Sequence, residues 1–292
     1  MDTGPKKQLL RFLSEDIRRG DITSALLTKK KIAAKIISRQ QGVIAGIKFA
    51  KNLFQLKGCN VKAFVKDGAK VKPNQKILQV SGNAQSVLSC ERTALNLLSR
   101  MSGIATQTSF LVSKIRKVSK KTNLYSTRKT APGLRIFDKE AVEIGGGHKH
   151  RMALDEMIMI KDNHLVLCNS MEDIIKQAQK KRKCVEVEVE NQKDALLAAK
   201  MGVSIIMLDN FTPAEIKRTI TTLRKNKMRN KVKLEASGGI SSKNIIAYAR
   251  TGVDMISVGS ITNSVTGLDL SLEVISNSVS YTHLTLPTIC SV

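Results

Sequence analysis

Histidine, arginine, lysine and glycine crowd into one stretch, 145–164, which reads GGGHKHRMALDEMIMIKDNH. Two imidazoles and a guanidinium precede the apolar run Met157-Ile158-Met159-Ile160, and Lys161-Asp162-Asn163-His164 follows it. Successive glycines let backbone come close to a ligand or to another strand, and cations gathered around a buried strand make a site for an anionic small molecule. Further on, valine and glutamate alternate over 185–190, which places Glu186, Glu188 and Glu190 on one strand face. Inward carboxylates are unfavourable unless cations or a metal offset them. Lys129 and Lys161 lie at earlier strand ends and Asp209 at the next one, so partners exist. Carboxylates beside cations suit a Mg²⁺-bound phosphate substrate, because Mg²⁺ takes oxygens from one or two carboxylates and from the substrate. Ser237-Gly238-Gly239 and Val258-Gly259-Ser260 are small enough to leave backbone N–H groups facing a phosphate.

Other chemistries find less support. His148, His150 and His164 raise zinc, but no cysteine or acidic ligand stands at a conventional spacing, so hydrogen-bonding or structural roles are expected. Neither a P-loop nor a GxSxG elbow occurs. The formal net charge of +25 raises nucleic-acid binding, which calls for clustered basic residues with stacking aromatics. The lysines are spread along the chain and aromatics make up only 3%, so the excess charge is read as a solvated, lysine-rich surface.

The elements that must position these groups divide the chain in two. Leu9, Leu10, Leu13 and Ile17 have helical spacing, 32–46 reads as strand, turn and strand, and 48–56 as a helix. Helices are expected over 85–104, ending near Gly103, and over 106–119. Glu91-Arg92 in the first of them reads, on composition alone, as a solvated pair worth little. Beyond residue 120 short apolar strands near 123–127, 157–160, 185–189, 204–208, 232–235 and 254–258 alternate with amphipathic helices, the rhythm of a parallel sheet or barrel. Ser170 to Asp173 and Thr212 to Glu215 are capping boxes, and Gly202 and Gly252 fall at helix C-caps. The strands end in Thr127-Arg128-Lys129, Lys161-Asp162-Asn163-His164, Glu188 with Glu190-Asn191, Asp209-Asn210, Glu235 with Ser237-Gly238-Gly239, and Gly259-Ser260. In a parallel barrel all C-terminal strand ends share the face that carries active sites. Five cysteines without CxxC spacing, no apolar run of membrane-spanning length and no signal-peptide core at the N-terminus give a cytoplasmic expectation. Residues 280–292 lose lysine and arginine and gain threonine, and read as a non-native tail.

The ordered set EDIRRGDIT (15–23), GVIAG (42–46), ERTALNLLSRMSGIAT (91–106), TRKTAPGLR (127–135), GGGHKHR (145–151), IKDNH (160–164), VEVE (185–188), LDNF (208–211), EASGG (235–239) and VGS (258–260) resembles the quinolinate phosphoribosyltransferases. The resemblance runs from about residue 10 to about 275 and implies an incomplete (open) α/β barrel over 113–267. An N-terminal α/β sandwich domain would cover 1–112, with a C-terminal helix, 268–279, returning to it. It implies transfer of phosphoribose from phosphoribosyl pyrophosphate to quinolinate with Mg²⁺, giving nicotinate mononucleotide, pyrophosphate and CO₂ for de novo NAD synthesis. On matching positions, Arg92, Arg128, His150, Arg151 and Lys161 would hold the quinolinate carboxylates, Arg92 reaching in from the partner of a homodimer. Thr127, Lys129, Glu188 and Asp209 would serve the phosphoribosyl pyrophosphate and metal, with Lys129, Glu188 and Asp209 catalytic. Ser237, Gly238, Gly239, Val258, Gly259 and Ser260 would grip the 5′-phosphate.

Overall fold

The computed structural model describes residues 4–27, 30–168, 170–181 and 184–275. The first part contains α1 (Pro5–Ile17), β1 (Lys31–Ser38), β2 (Gly42–Val43), α2 (Ile47–Leu56), β3 (Asn60–Ala63), β4 (Lys70–Val71), β5 (Lys76–Asn83) and α3 (Ala84–Arg116). The second contains β6 (Asn123–Tyr125), α4 (Arg135–Ile144), β7 (Ile158–Ile160), α5 (Asp162–Val166), α6 (Met171–Lys181), β8 (Val185–Val189), α7 (Gln192–Lys200), β9 (Ile205–Asp209), α8 (Pro213–Lys225), β10 (Lys233–Ser237), α9 (Ile245–Ala249), β11 (Met255–Ser257), α10 (Ser260–Asn263) and β12 (Leu270–Ile275).

Among the described residues, the second part forms a six-stranded parallel sheet in the order β6-β11-β10-β9-β8-β7. It curls like a barrel and is not closed between the β6 and β7 edges. A parallel bridge from Tyr125 to His148 lays the 145–151 segment beside β6. The helices between strands start where the sequence places caps: Thr212 Oγ1 accepts from the Glu215 N–H at 3.3 Å, and Ser170 Oγ from that of Asp173 at 3.1 Å. Gly202 and Gly252 take φ of +73° and +92° just past helix ends.

The N-terminal domain packs helices on an antiparallel sheet, β12-β1-β5-β3. Its last member corrects the expected C-terminal helix. Leu270–Ile275 is a strand antiparallel to β1, so the chain does return to the first domain but in extended form. LSLEVI alternates apolar and polar residues, and its polar face is met by Arg39, which donates to Ser271 Oγ at 2.8 Å and Glu273 at 2.6 Å. The remainder of the expected helix, 276–279, and the tail 280–292 lie outside the described residues.

Nor are there two helices over 85–119. α3 is continuous from Ala84 to Arg116 and crosses the expected domain boundary at 112 and 113. Gly103 does not end it; a Cβ there would stand 2.1 Å from the Thr266 carbonyl, so the glycine admits a neighbouring loop. α4 is tied to the first domain by the edge-on Phe49–Phe137 contact (ring centroids 4.8 Å apart) and by Arg100, which grips the buried Asp138 at 2.7 and 2.9 Å. No described helix is long and apolar enough to cross a membrane.

Candidate active site

Because side chains alternate along a strand, each parallel strand aims residues two apart at the inside of the curled sheet. β7 and the residue after it give Met159 and Lys161, β8 gives Glu186 and Glu188, β9 gives Met207 and Asp209, and β10 gives Glu235 and Ser237. With Ser126, Thr127, Arg128, Lys129, His150, Arg151 and Ser257 these residues surround a cavity of about 410 Å³, apart from Glu186 beneath it. The earlier residue of a pair lies deep and the later one nearer the mouth: Glu186 and Glu235 are fully buried, whereas the Glu188 side chain is 13% exposed. A larger cavity of about 560 Å³, lined by Phe12, Asp16, Arg18 and Arg100 among others, lies by α1 and α3 and away from the strand ends.

At the deep end His150 faces two carboxylates, its Nε2 standing 3.2 Å from Glu235 Oε2 and 3.4 Å from Glu186 Oε2. Its Nδ1 accepts the backbone N–H of Arg151 at 2.8 Å, so the proton sits on Nε2 and is directed at the carboxylates. Two buried carboxylates cannot both ionise without compensation. Burial first, and then the charge of Glu235, push Glu186 up to about 9, against a downward pull from Arg151 and Lys161. Neither oxygen of Glu186 has a hydrogen-bond partner among the described residues.

The cationic wall is Arg128, Arg151 and Lys161. Arg151 donates to the Met157 carbonyl at 3.1 Å and to Met159 Sδ at 3.3 Å, which aims its guanidinium. Burial, with Arg128 beside it, lowers its affinity for the proton, but a guanidinium remains charged. Arg128 Nε is buried without a partner among the described residues, a donor that a ligand or water can satisfy. Lys161 pairs with Glu188 across the mouth. Opposite lies Asp209, whose Oδ2 accepts from Asn210 at 2.8 Å. Gly238 has φ +85°, and a Cβ there would fall 2.2 Å from Asn210 Oδ1, so the turn after β10 admits only glycine.

Of the residues singled out in the sequence, Thr127, Arg128, Lys129, His150, Arg151, Lys161, Glu188, Asp209 and Ser237 line this cavity; Gly238, Gly239, Val258, Gly259, Ser260 and Arg92 do not. Gly259 does approach it, since a Cβ there would meet the Lys129 side chain at 3.1 Å. Ser260 borders a separate cavity with Gly103 and Thr266. Arg92 is exposed on α3. The glycines at 145 and 147 make room for α3, with Cβ positions 2.6 Å from the Ala105 carbonyl and 2.9 Å from Thr108, and not for a ligand. The histidines do not converge as a zinc site would need: His148 stacks on Tyr125, and His164 Nδ1 accepts the Lys161 N–H at 3.0 Å. Among the described residues, His150, Glu186 and Glu235 are the three whose ligand atoms lie close enough together to share a metal ion. The sequence assigns no role to Met159, Met207, Ser126 or Ser257; for the deep layer it offers the alternation of Glu186 with valines and the place of Glu235 near a strand end, without joining the two.

Comparison with known proteins covers almost the whole described chain. The description "Quinolinate phosphoribosyl transferase, C-terminal domain" matches residues 104–273, and the corresponding N-terminal domain matches 21–102. A protein of Archaeoglobus fulgidus named "Probable nicotinate-nucleotide pyrophosphorylase [carboxylating]" is 43% identical over 88% of this chain and 98% of its own length. The Rattus norvegicus "Nicotinate-nucleotide pyrophosphorylase [carboxylating]" is 36% identical over 90% of this chain and 88% of its own. A solved nicotinate-nucleotide pyrophosphorylase structure from Francisella tularensis superposes with a TM-score of 0.87 at 37% identity, covering 93% of this chain and 96% of that one.

Proposed function

The chain belongs to the quinolinate phosphoribosyltransferase family, and from that premise we propose that the strand-end cavity is where its reaction takes place. The reaction transfers phosphoribose from phosphoribosyl pyrophosphate to the ring nitrogen of quinolinate and releases pyrophosphate and CO₂, giving nicotinate mononucleotide for NAD synthesis. The observation that carries the assignment is the division of one 410 Å³ cavity into a cationic wall, Arg128, Arg151 and Lys161, and an acidic mouth, Glu188 and Asp209.

Planar carboxylates suit forked guanidinium donors. Arg128, with its unpartnered Nε, and Arg151 therefore take the two quinolinate carboxylates, and Lys161 adds a third charge. His150 contributes from behind, because both of its ring nitrogens are engaged by Glu235 and the Arg151 N–H. Arg92 is too exposed to serve the cavity of its own chain, and we assign it to the cavity of the partner in a homodimer. As pyrophosphate departs, the anomeric carbon gains positive charge. Glu188 and Asp209 stabilise that charge and hold the ribose hydroxyls, while Lys129 faces the leaving group. The turns at Ser237, Gly238 and Gly239 and at Val258, Gly259 and Ser260 take the 5′-phosphate, with Thr127 beside them.

Glu188 and Asp209 present oxygen donors from adjacent strands to the same cavity, a donor set that fits Mg²⁺. Bound there with the pyrophosphate, Mg²⁺ would supply neutralisation of the leaving group's charge. Once ribosylated, the pyridine nitrogen is a fixed cation that stabilises loss of the adjacent carboxylate, so the chain has only to hold the ring in place. We assign the reaction to the cytoplasm, a reducing compartment that suits cysteines without paired spacing. Measurement of nicotinate mononucleotide and CO₂ from quinolinate and phosphoribosyl pyrophosphate with Mg²⁺, repeated with nicotinate in place of quinolinate, tests the reading. Turnover is expected with quinolinate only; equal turnover of the monocarboxylate would remove the dicarboxylate assignment of the cationic wall.

A further inference from the structure

Lys139 lies in the middle of α4 and is fully buried. Its Nζ donates to two backbone carbonyls, Lys149 and Arg151, each at 2.5 Å. These carbonyls flank His150, whose φ of +54° lies in the left-handed region, an uncommon conformation for a non-glycine residue. The peptide on the N-terminal side is already secured to β6: the His148 N–H donates to the Leu124 carbonyl at 2.8 Å, and Ser126 Oγ donates to the Lys149 carbonyl at 2.8 Å. Beyond Arg151 the chain is held by Arg135, which donates to the Met152 carbonyl at 3.0 Å, and by Glu156, which accepts the Met152 N–H at 2.6 Å. Lys139 spans the gap between these two anchorages.

We propose that Lys139 is a positioning residue for the quinolinate end of the site, its ammonium bridging the carbonyls on either side of His150 so that the imidazole faces Glu186 and Glu235 and the Arg151 guanidinium points into the cavity. The proposal rests on reading that wall as the quinolinate pocket. An ammonium is an unfavourable choice for this place if packing were its only task. Burial, and after it the charge of Arg135, lower Lys139 to about 8; Arg128 and Arg151 also face it with like charge, and Glu156 opposes them. A methionine of similar length would avoid that penalty. What it would lose is the grip on two carbonyls, and with it the left-handed turn.

The test compares KM for quinolinate, KM for phosphoribosyl pyrophosphate and the melting temperature of wild type, Lys139→Met and Lys139→Arg. A guanidinium turned out of line with its carboxylate loses a charge-assisted hydrogen bond, which weakens binding by roughly tenfold or more. A rise of at least about tenfold in quinolinate KM is therefore expected for Lys139→Met, with the phosphoribosyl pyrophosphate KM within about twofold of wild type. Lys139→Arg, which keeps charge and donors on a longer stem, is expected to fall between. A quinolinate KM unchanged in Lys139→Met, or a parallel rise of both constants with a lowered melting temperature, overturns the proposal. If Lys139→Met does not fold, Lys139→Arg decides: a selective rise in quinolinate KM supports positioning, and unchanged constants refute it. Wild type that turns over phosphoribosyl pyrophosphate with no dependence on quinolinate would remove the pocket reading, and the proposal with it.

Discussion

Arg151→Ala separates binding from architecture more cleanly than any other change in the cavity. Of the five N–H groups on a guanidinium, one on Nη1 goes to the Met157 carbonyl and one on Nη2 to Met159 Sδ. Nε–H and the remaining Nη hydrogens are left for a ligand. Two charge-assisted hydrogen bonds at about 1.5–3 kcal/mol each give an upper range near 6 kcal/mol. Arg128 and Lys161 remain to hold part of the ligand charge, so a net loss of about 3 kcal/mol is expected, roughly 100-fold in quinolinate KM. The stability change should be small. The protein bonds lost are one to a neutral carbonyl and one to a thioether, and the like charges Arg128 and Lys139 are relieved of a neighbour. Steady-state kinetics with each substrate varied in turn, together with a thermal melt, makes the comparison. The reasoning fails if quinolinate KM moves by less than about threefold, or if both KM values rise together as the melting temperature falls.

Two further outcomes follow from the deep layer and from the exposed face of α3. Glu186 has an ordinary value of 4.5 and is pushed up to about 9 in the folded chain by burial and by Glu235. The unfolded chain therefore releases this proton first, and the stability it contributes is complete below about pH 4.5 and is lost progressively as pH rises toward 9. Glu186→Gln cannot ionise, so its melting temperature should gain on wild type from pH 5 to pH 9; parallel curves would refute the buried-carboxylate account. Arg92→Ala and Lys129→Ala should each be inactive as pure dimers. Mixed and reassociated, they should regain about a quarter of wild-type activity, since half the dimers are hybrid and each hybrid carries one intact site; no recovery would place Arg92 outside the partner's cavity.

The residues near the mouth of the cavity were legible because strand periodicity and chain direction put them there. Lys161, Glu188, Asp209 and Ser237 all fall at C-terminal strand ends in a βα alternation, and a parallel sheet must bring such ends to one face. In the misread break of α3 a local signal was overruled by a distant neighbour. Gly103 looked like a helix end, yet it is there because the Thr266 carbonyl occupies the space of its Cβ. The expected C-terminal helix came from the resemblance and not from a local signal, since LSLEVI alternates as a strand does and pairs with β1.

The support beneath the site left almost no trace, and the reason is geometric. His150, Glu186 and Glu235 come from a loop and from two strands separated by β9, so nothing in their sequence spacing joins them. Lys139 is flanked by Asp138, Glu140 and Glu143 on an amphipathic helix, where composition predicts a solvated lysine. Only the fold shows that α4 buries Lys139 beside Asp138 and turns the ammonium against the carbonyls of a segment ten residues on. Groups that touch a ligand are constrained by chemistry that their residue type advertises. Groups that hold them are constrained by where the backbone happens to pass, and a buried ammonium among three guanidiniums becomes intelligible only when the carbonyls it bridges are seen.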